Sequence, residues 1–301
     1  MLTDNYKRKI DYLRVSVTDR CDLRCTYCMA EDVTFLPRKE VLSIEEIIKL
    51  VDIFNELGVK KFRLTGGEPL VRKNIILLIE HLHKLKKQNK IIEHTLTTNG
   101  TNLSKYLKLL KENGIERINV SLDSLNHTKY KEITKHGDLD KVLNGIFSAT
   151  KEGIKVKINT VLTTNFNEEE IFEIIEWCKI NNLDISIIEV MPIGSIGEKR
   201  FKQYLSMKKF EENLISKLNL SSSNFKTNGP SRYFSDNVSN TKIGIISAIS
   251  HNFCDTCNRV RLTCTGKLYM CLGQNDYVDL KYALRNLSKI DIIKQIEYAM
   301  S

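Results

Sequence analysis

The chain has 301 residues, 42% of them hydrophobic, and carries 46 Lys and Arg against 37 Asp and Glu, a formal charge of +9. That is enough to bury a sizeable core, in one large domain or one plus a smaller one. No run of about 18 apolar residues is present, so no membrane span is expected. The polar first ten residues lack the apolar stretch of a signal peptide, and a cytoplasmic protein is expected. The basic charge comes with no helix-turn-helix, zinc-finger or RNA-binding motif, so no nucleic acid is expected either. Eight cysteines in a reducing compartment point to metal binding or catalysis rather than disulfides.

In chain order, residues 11–17 read as a strand and 43–57 as a helix, with Ser43 and Glu46 spaced as a capping box. Strands follow at 59–65, 91–97, 116–122, 154–162 and 183–191, and helices at 74–88, 103–113, 139–152 and 168–181. The strands are rich in Val and Ile, and the helices carry apolar residues three and four apart. Six such strand–helix steps predict an α/β fold with a parallel sheet and right-handed crossovers. Six strands are too few for a closed eight-stranded barrel. A partial, open βα barrel of about six parallel strands is expected, with a flat doubly wound sheet as the alternative. After Gly194 the rhythm changes. The polar stretch 219–240 reads as a loop or mobile segment. Strand-like pieces at 242–249, 260–264 and 267–271 and two short helices complete a C-terminal cluster-binding extension. The expected division is 1–218 for the barrel and 219–301 for the extension.

The chemistry-bearing residues fall just after the strands, where barrels of this kind place their active sites. Cys21, Cys25 and Cys28 put three thiols within eight residues. Three thiolates and one open iron suit a [4Fe–4S] cluster, whereas structural zinc normally takes four protein ligands. Tyr27 is placed to pack against a bound cofactor. Gly66-Gly67-Glu68-Pro69 follows the second strand, and its glycines allow a close backbone approach. A second group, Cys254, Cys257, Cys264 and Cys271, leaves two readings open: a closed zinc site, or a second cluster held by three of the four. Arg14, Arg63 and Lys157 lie on strands among apolar neighbours, an unlikely place for unpaired charge unless a ligand is there. Arg259 and Arg261 are two apart, so on a strand they face the same side. The six histidines show no ligand spacing, and Cys178 beside Trp177 reads as core.

The CxxxCxxC run with Tyr27 before its last cysteine, followed by the GGEP segment, resembles the radical S-adenosylmethionine (SAM) superfamily. The run Phe253 to Leu262 with Cys271 resembles the C-terminal signature of its GTP 3′,8-cyclase family, as do the segments 11–21, 96–100, 118–123, 156–159 and 188–192. The resemblance implies two [4Fe–4S] clusters, on Cys21, Cys25 and Cys28 and on Cys254, Cys257 and Cys271, with Cys264 a bystander. It implies contacts to SAM from Tyr27, Gly67, Ser121 and Met191. It implies contacts to GTP from Arg14, Arg63, Thr97, Lys157, Arg259, Val260 and Arg261. The implied reaction is a lyase step in molybdenum cofactor biosynthesis. A SAM-derived radical takes hydrogen from C3′ of GTP, and C3′ then bonds to C8, giving (8S)-3′,8-cyclo-7,8-dihydroguanosine 5′-triphosphate. No acid–base residue is implied. An electron donor such as flavodoxin or ferredoxin, a downstream cyclic pyranopterin monophosphate synthase, and a monomer or homodimer come with it. Two departures stand out. Ser186 occupies a position where the family usually has Arg, and the chain stops at Ala299-Met300-Ser301 where members generally continue to a pair of glycines. A truncated chain or an altered tail is the expectation. The competing readings are a peptide-modifying radical SAM enzyme with an auxiliary cluster, and a non-catalytic iron–sulfur or zinc-binding homologue.

Overall fold

The computed structural model describes residues 1–164, 166–191, 204–227, 229–236, 238–251, 253–271 and 275–300. Six of its strands are the expected ones: β1 (Tyr12–Ser16), β2 (Lys61–Thr65), β3 (Glu93–Thr98), β4 (Arg117–Ser121), β5 (Lys155–Leu162) and β6 (Asp184–Glu189). Between them run α1 (Ile44–Glu56), α2 (Ile75–Lys87), α3 (Leu103–Glu112), α4 (His127–Thr134), α5 (Leu139–Lys151) and α6 (Glu170–Ile180). Apart from α4, which the sequence pattern does not predict, each boundary lies within about two residues of the expected one. The capping box forms: Ser43 Oγ accepts from Glu46 N at 3.1 Å, and Glu46 Oε2 accepts from Ser43 N at 2.8 Å.

Beyond them lie α7 (Met207–Lys217), β7 (Ser221–Ser223), β8 (Arg232–Ser235), β9 (Ile243–Ile246), β10 (Arg259–Leu262), β11 (Lys267–Tyr269), β12 (Tyr277–Asp279), α8 (Leu280–Asn286) and α9 (Lys289–Met300). One sheet joins all twelve strands in the order β12-β11-β10-β1-β2-β3-β4-β5-β6-β9-β8-β7. Its central eight, from β10 to β9, are parallel, two more than the sequence reading counted. The added pair comes from the C-terminal extension and covers both edges of the six-stranded unit, satisfying main-chain groups that would otherwise stand unpaired. Antiparallel hairpins then cap the two ends. No ladder joins β12 to β7 among the described residues, so the sheet is open.

The stretch 219–240, expected as a loop, is corrected: it contains β7 and β8. Tyr233 and Phe234 are buried, and β8 pairs with β9. A four-residue strand is too short to show a period against polar flanks, and its stability comes from the partner strand. Among the described residues no helix is long and apolar enough to cross a membrane.

The period-two pattern of the strands positions the site. Leu13, Val15, Phe62, Leu64, Ile118, Val120, Val156, Ile158, Ile185 and Ile187 are buried in the apolar core, shared with the Ile47–Leu50–Val51–Phe54 face of α1 and the Leu78–Ile79–Leu82 face of α2. Alternate residues therefore point to the other face. These are Arg14, Arg63, Thr97, Asn119, Lys157 and Ser186, a polar surface that is itself largely buried.

Replacing Ser43 with Ala removes one half of the capping box. It should destabilise the fold by about 1 kcal/mol, read as a lower denaturant midpoint with unchanged slope.

Candidate active site

Local packing first fixes the loop of the leading cysteines. Gly67 N donates to Thr18 O at 2.8 Å and Glu68 N to Arg20 O at 2.8 Å. A Cβ on Gly67 would stand 2.2 Å from Arg20 O, and one on Gly66 would stand 2.7 Å from Thr18 O. The close neighbour that requires these glycines is thus the backbone of the cysteine loop. On its other side the loop is pinned to the end of α4: Arg24 N donates to Thr134 O and Thr26 N to Ile133 O, both at 2.9 Å. Arg24 Nη1 reaches back to Cys21 O and Leu23 O at 2.8 Å.

The thiols of Cys21, Cys25 and Cys28 form no disulfide and lie within mutual electrostatic reach. Burial pushes Cys21 up to about 11, and burial with the nearby Asp123 pushes Cys25 well up. Thiolates in this loop therefore need a cationic partner, which the irons of a cluster supply. Among the described residues no three His, Cys, Asp or Glu side chains converge to hold a single metal ion. A four-iron cluster spreads its thiolates over separate irons and does not ask them to. The donor set fits a cluster with one iron left open.

The mouth beside this loop is built from carboxylates, Glu68 and Asp123 buried and Asp22 half-buried; Asp22 and Asp123 fall in segments the sequence singles out, but with no role of their own. Glu68, 1% exposed, accepts from Leu70 N at 2.9 Å, Thr98 Oγ1 at 2.8 Å and Asn99 N at 2.6 Å, tying the end of β2 to the end of β3. Burial pushes it up to about 7 against those three donors. Asp22 accepts from Asn99 Nδ2 at 2.7 Å and Asn102 Nδ2 at 3.1 Å. Asp123 accepts from Tyr27 OH and from Val161 N, each at 2.7 Å, and burial pushes it up to about 6. The Tyr27 hydroxyl is therefore committed to Asp123. Ser121 closes β4 and Met191 stands two residues past β6. Pro192, quoted for the same segment, lies outside the described residues, as does Leu272 beside Cys271.

The polar face of the sheet collects cations. Arg14 is in register with Arg63 on one side and Arg261 on the other. Burial pushes Arg14 down to about 10, and Arg261, Arg63 and Arg259 add to the effect. Burial also lowers Arg261, whose Nε is buried without a hydrogen-bond partner, and lowers Lys157. Arg63 donates to Tyr12 OH and to Thr97 Oγ1, the latter at 3.2 Å. Among the described residues, none of Arg14, Arg63, Lys157, Arg259 and Arg261 has a carboxylate within ion-pair distance. Val260 is not on this face: it pairs with Leu13 and is buried in the core. Asn119, which lies in the family-like segment 118–123 but has no role assigned to it there, is. Its Oδ1 is buried without a partner, and a lone Asn in an apolar strand gave no signal by itself.

The second cysteine group adjoins these cations. Cys257 and Cys271 both lie within electrostatic reach of Arg261, and Cys254 and Cys257 within reach of Arg8. Arg259 Nη2 is 3.7 Å from Cys257 Sγ, and its guanidinium stands 5.6 Å from the Phe253 ring centre. Cys264 is elsewhere. It is buried two residues past β10 among Ser16, Asp19 and Arg72, and its carbonyl accepts from Leu42 N at 2.8 Å.

Comparison with known proteins follows this geometry. The Radical SAM superfamily model matches residues 15–178, and the Molybdenum Cofactor Synthesis C model matches 183–301. The GTP 3′,8-cyclase of Brucella ovis is 50% identical over 301 residues, all of this chain and 88% of that protein. The chain belongs to the GTP 3′,8-cyclase family. A second member of the family, from Sinorhizobium medicae, is 50% identical over 284 residues, 94% of this chain and 81% of its own. Solved structures share the fold at lower identity. Streptococcus suis SuiB bound to S-adenosylmethionine has TM-score 0.68 at 18% identity, over 91% of this chain, which spans 64% of SuiB. Native anSMEcpe with bound AdoMet has TM-score 0.63 at 21% identity, over 94% of this chain and 82% of its own. Family membership brings SAM and [4Fe–4S] clusters as cofactors.

Gly67→Ala should cost on the order of 1–3 kcal/mol, because the new methyl meets backbone that cannot swing aside. Less iron bound per chain after anaerobic reconstitution is expected. A variant that loads iron as fully as the parent would show the packing to be dispensable.

Proposed function

We propose that this chain converts GTP to (8S)-3′,8-cyclo-7,8-dihydroguanosine 5′-triphosphate, as a radical SAM enzyme of molybdenum cofactor biosynthesis. One observation carries the reading to this chain's own residues: five cations share the polar face of the sheet, and among the described residues none of them has a carboxylate within ion-pair distance, Asp184 acting on Lys157 only from farther off. A polyanion such as a triphosphate supplies the missing charge through charge-assisted hydrogen bonds.

Cys21, Cys25 and Cys28 would hold the first cluster, which when bound would supply the electron for reductive cleavage of SAM. The residues around it bind and orient. The Tyr27 ring, the Gly67 main chain, Ser121 and Met191 line the SAM side. Arg14, Arg63, Thr97, Lys157, Arg259 and Arg261 hold GTP, with Val260 contributing main chain only. Cys254, Cys257 and Cys271 hold the second cluster beside Arg259 and Arg261, close to the nucleotide. The partial burial of this face limits the access of water to the reacting carbons. The barrel, 1–218, and the extension, 219–301, act as one unit in this reading. A flavodoxin or ferredoxin as reductant, a cyclic pyranopterin monophosphate synthase downstream, a cytoplasmic location and a monomer or homodimer complete it. The peptide-modifying alternative draws only on likeness of fold, and the cation cluster does not call for a peptide.

The test is anaerobic reconstitution, dithionite reduction and incubation with SAM and GTP, with products read by mass spectrometry. Both 5′-deoxyadenosine and the cyclised nucleotide are expected, and deoxyadenosine alone would sink the cyclase reading while leaving the radical SAM chemistry. Arg259→Ala and Arg261→Ala should each weaken GTP binding by about 10-fold or more, the worth of a hydrogen bond to a charged group. Unchanged affinity in both would overturn their assignment.

A further inference from the structure

Lys157 is 7% exposed on β5, yet among the described residues its ammonium's hydrogen-bond acceptors are neutral, and the Asp184 carboxylate, in register with it on β6, lies beyond ion-pair distance and accepts from Lys242 N instead. Nζ donates to Tyr233 OH at 2.6 Å and lies 3.4 Å from Ser231 Oγ. It also stands 4.7 Å from the centre of the Tyr233 ring. Tyr233 OH shares a further hydrogen bond with Thr227 Oγ1 at 3.1 Å, and its ring meets Phe225 edge-on at 4.9 Å. Ser231 Oγ is 2.9 Å from the buried Ser186 Oγ. Gly244 completes the wall, since a Cβ there would come within 2.6 Å of Ser186 Oγ. These groups come from three neighbouring strands, β6, β9 and β8, and from the segment before β8, none of which carries a motif for the purpose.

A buried cation that served only the fold would be matched by a carboxylate, because an unpaired charge is expensive to bury. Hydroxyl groups orient an ammonium without neutralising it. An ammonium has three protons; among the described residues Tyr233 and Ser231 take two, which leaves one for a ligand.

We propose that Tyr233, assisted by Ser231, is a positioning residue that holds the Lys157 ammonium for a phosphate oxygen of the nucleotide. The inference rests on the GTP reading above and adds that the hairpin of the C-terminal extension sets the aim of a barrel lysine. The charges agree with it. Burial alone would push the Tyr233 phenol up, but the Lys157 ammonium and the hydrogen bonds around the phenol outweigh it and hold it below its ordinary value. Burial in turn lowers Lys157.

Tyr233→Phe removes the hydroxyl and keeps the ring against Lys157 and Phe225. Calorimetry on the anaerobically reconstituted enzyme should show GTP affinity falling about two- to ten-fold, the effect of one such hydrogen bond. Affinity for guanosine, which has no phosphate, should not move. In a Lys157→Ala background the same change should add nothing, because the two act as a pair. Ser231→Ala should produce a smaller loss of the same kind, and it carries the test if Tyr233→Phe lowers the melting temperature enough to blur it. Unchanged GTP affinity, an equal loss for guanosine, or a full further loss without Lys157 would each overturn the proposal. If Lys157→Ala itself leaves GTP affinity intact, the placement of the triphosphate falls, and this inference with it.

Discussion

Like charges crowd one face of the sheet, and most of the architecture follows from making that face tolerable. Arg14, Arg63, Arg259, Arg261 and Lys157 repel one another and are taken from water, and the cost is visible in Arg14, pushed down to about 10. Such an arrangement persists only where the rest of the fold over-determines it. Here the opposing face of the same strands does so. Leu13, Val15, Phe62, Leu64, Ile118 and Ile158 belong to one apolar cluster with α1, α2 and α5. The period of two lets a single strand serve both masters, core on one side and ligand on the other.

The two cysteine groups flank this face for different reasons. The first sits on a loop clamped between the Gly66-Gly67 turn and the end of α4, so its position follows from close backbone packing. The second arrives through β10, whose pairing with β1 puts Arg261 beside Arg14 and whose flanking Cys257 and Cys271 lie within electrostatic reach of Arg261. The extension is therefore not an appendage. It supplies the two outer parallel strands, two of the five cations, the second cysteine set and the hydroxyl groups around Lys157.

Carboxylates set the shape of the mouth. Glu68, Asp22 and Asp123 each accept from side chains or main chain of a neighbouring strand end, so the ends of β1 to β5 are tied together by hydrogen bonds rather than by apolar contact. Burial and hydrogen bonding pull opposite ways on Glu68 and Asp123, and burial prevails in both.

The cysteine spacing, the GGEP segment and the six strand–helix steps were legible in the amino-acid sequence, because each is a local pattern whose chemistry or period needs only a few neighbouring residues. So were Arg14, Arg63 and Lys157, conspicuous as charge within apolar strands, and Arg259 and Arg261, two apart after the second cysteine pair. Tertiary structure alone decided the rest. It gave the sheet eight parallel strands by seating β9 and β10 on its edges, turned Val260 into the core, and brought Tyr233, Ser231 and Ser186 to Lys157. Those pairings join residues dozens of positions apart through main-chain ladders, and a ladder is specified by the partner strand as much as by the residues themselves. No local period announces such a partner.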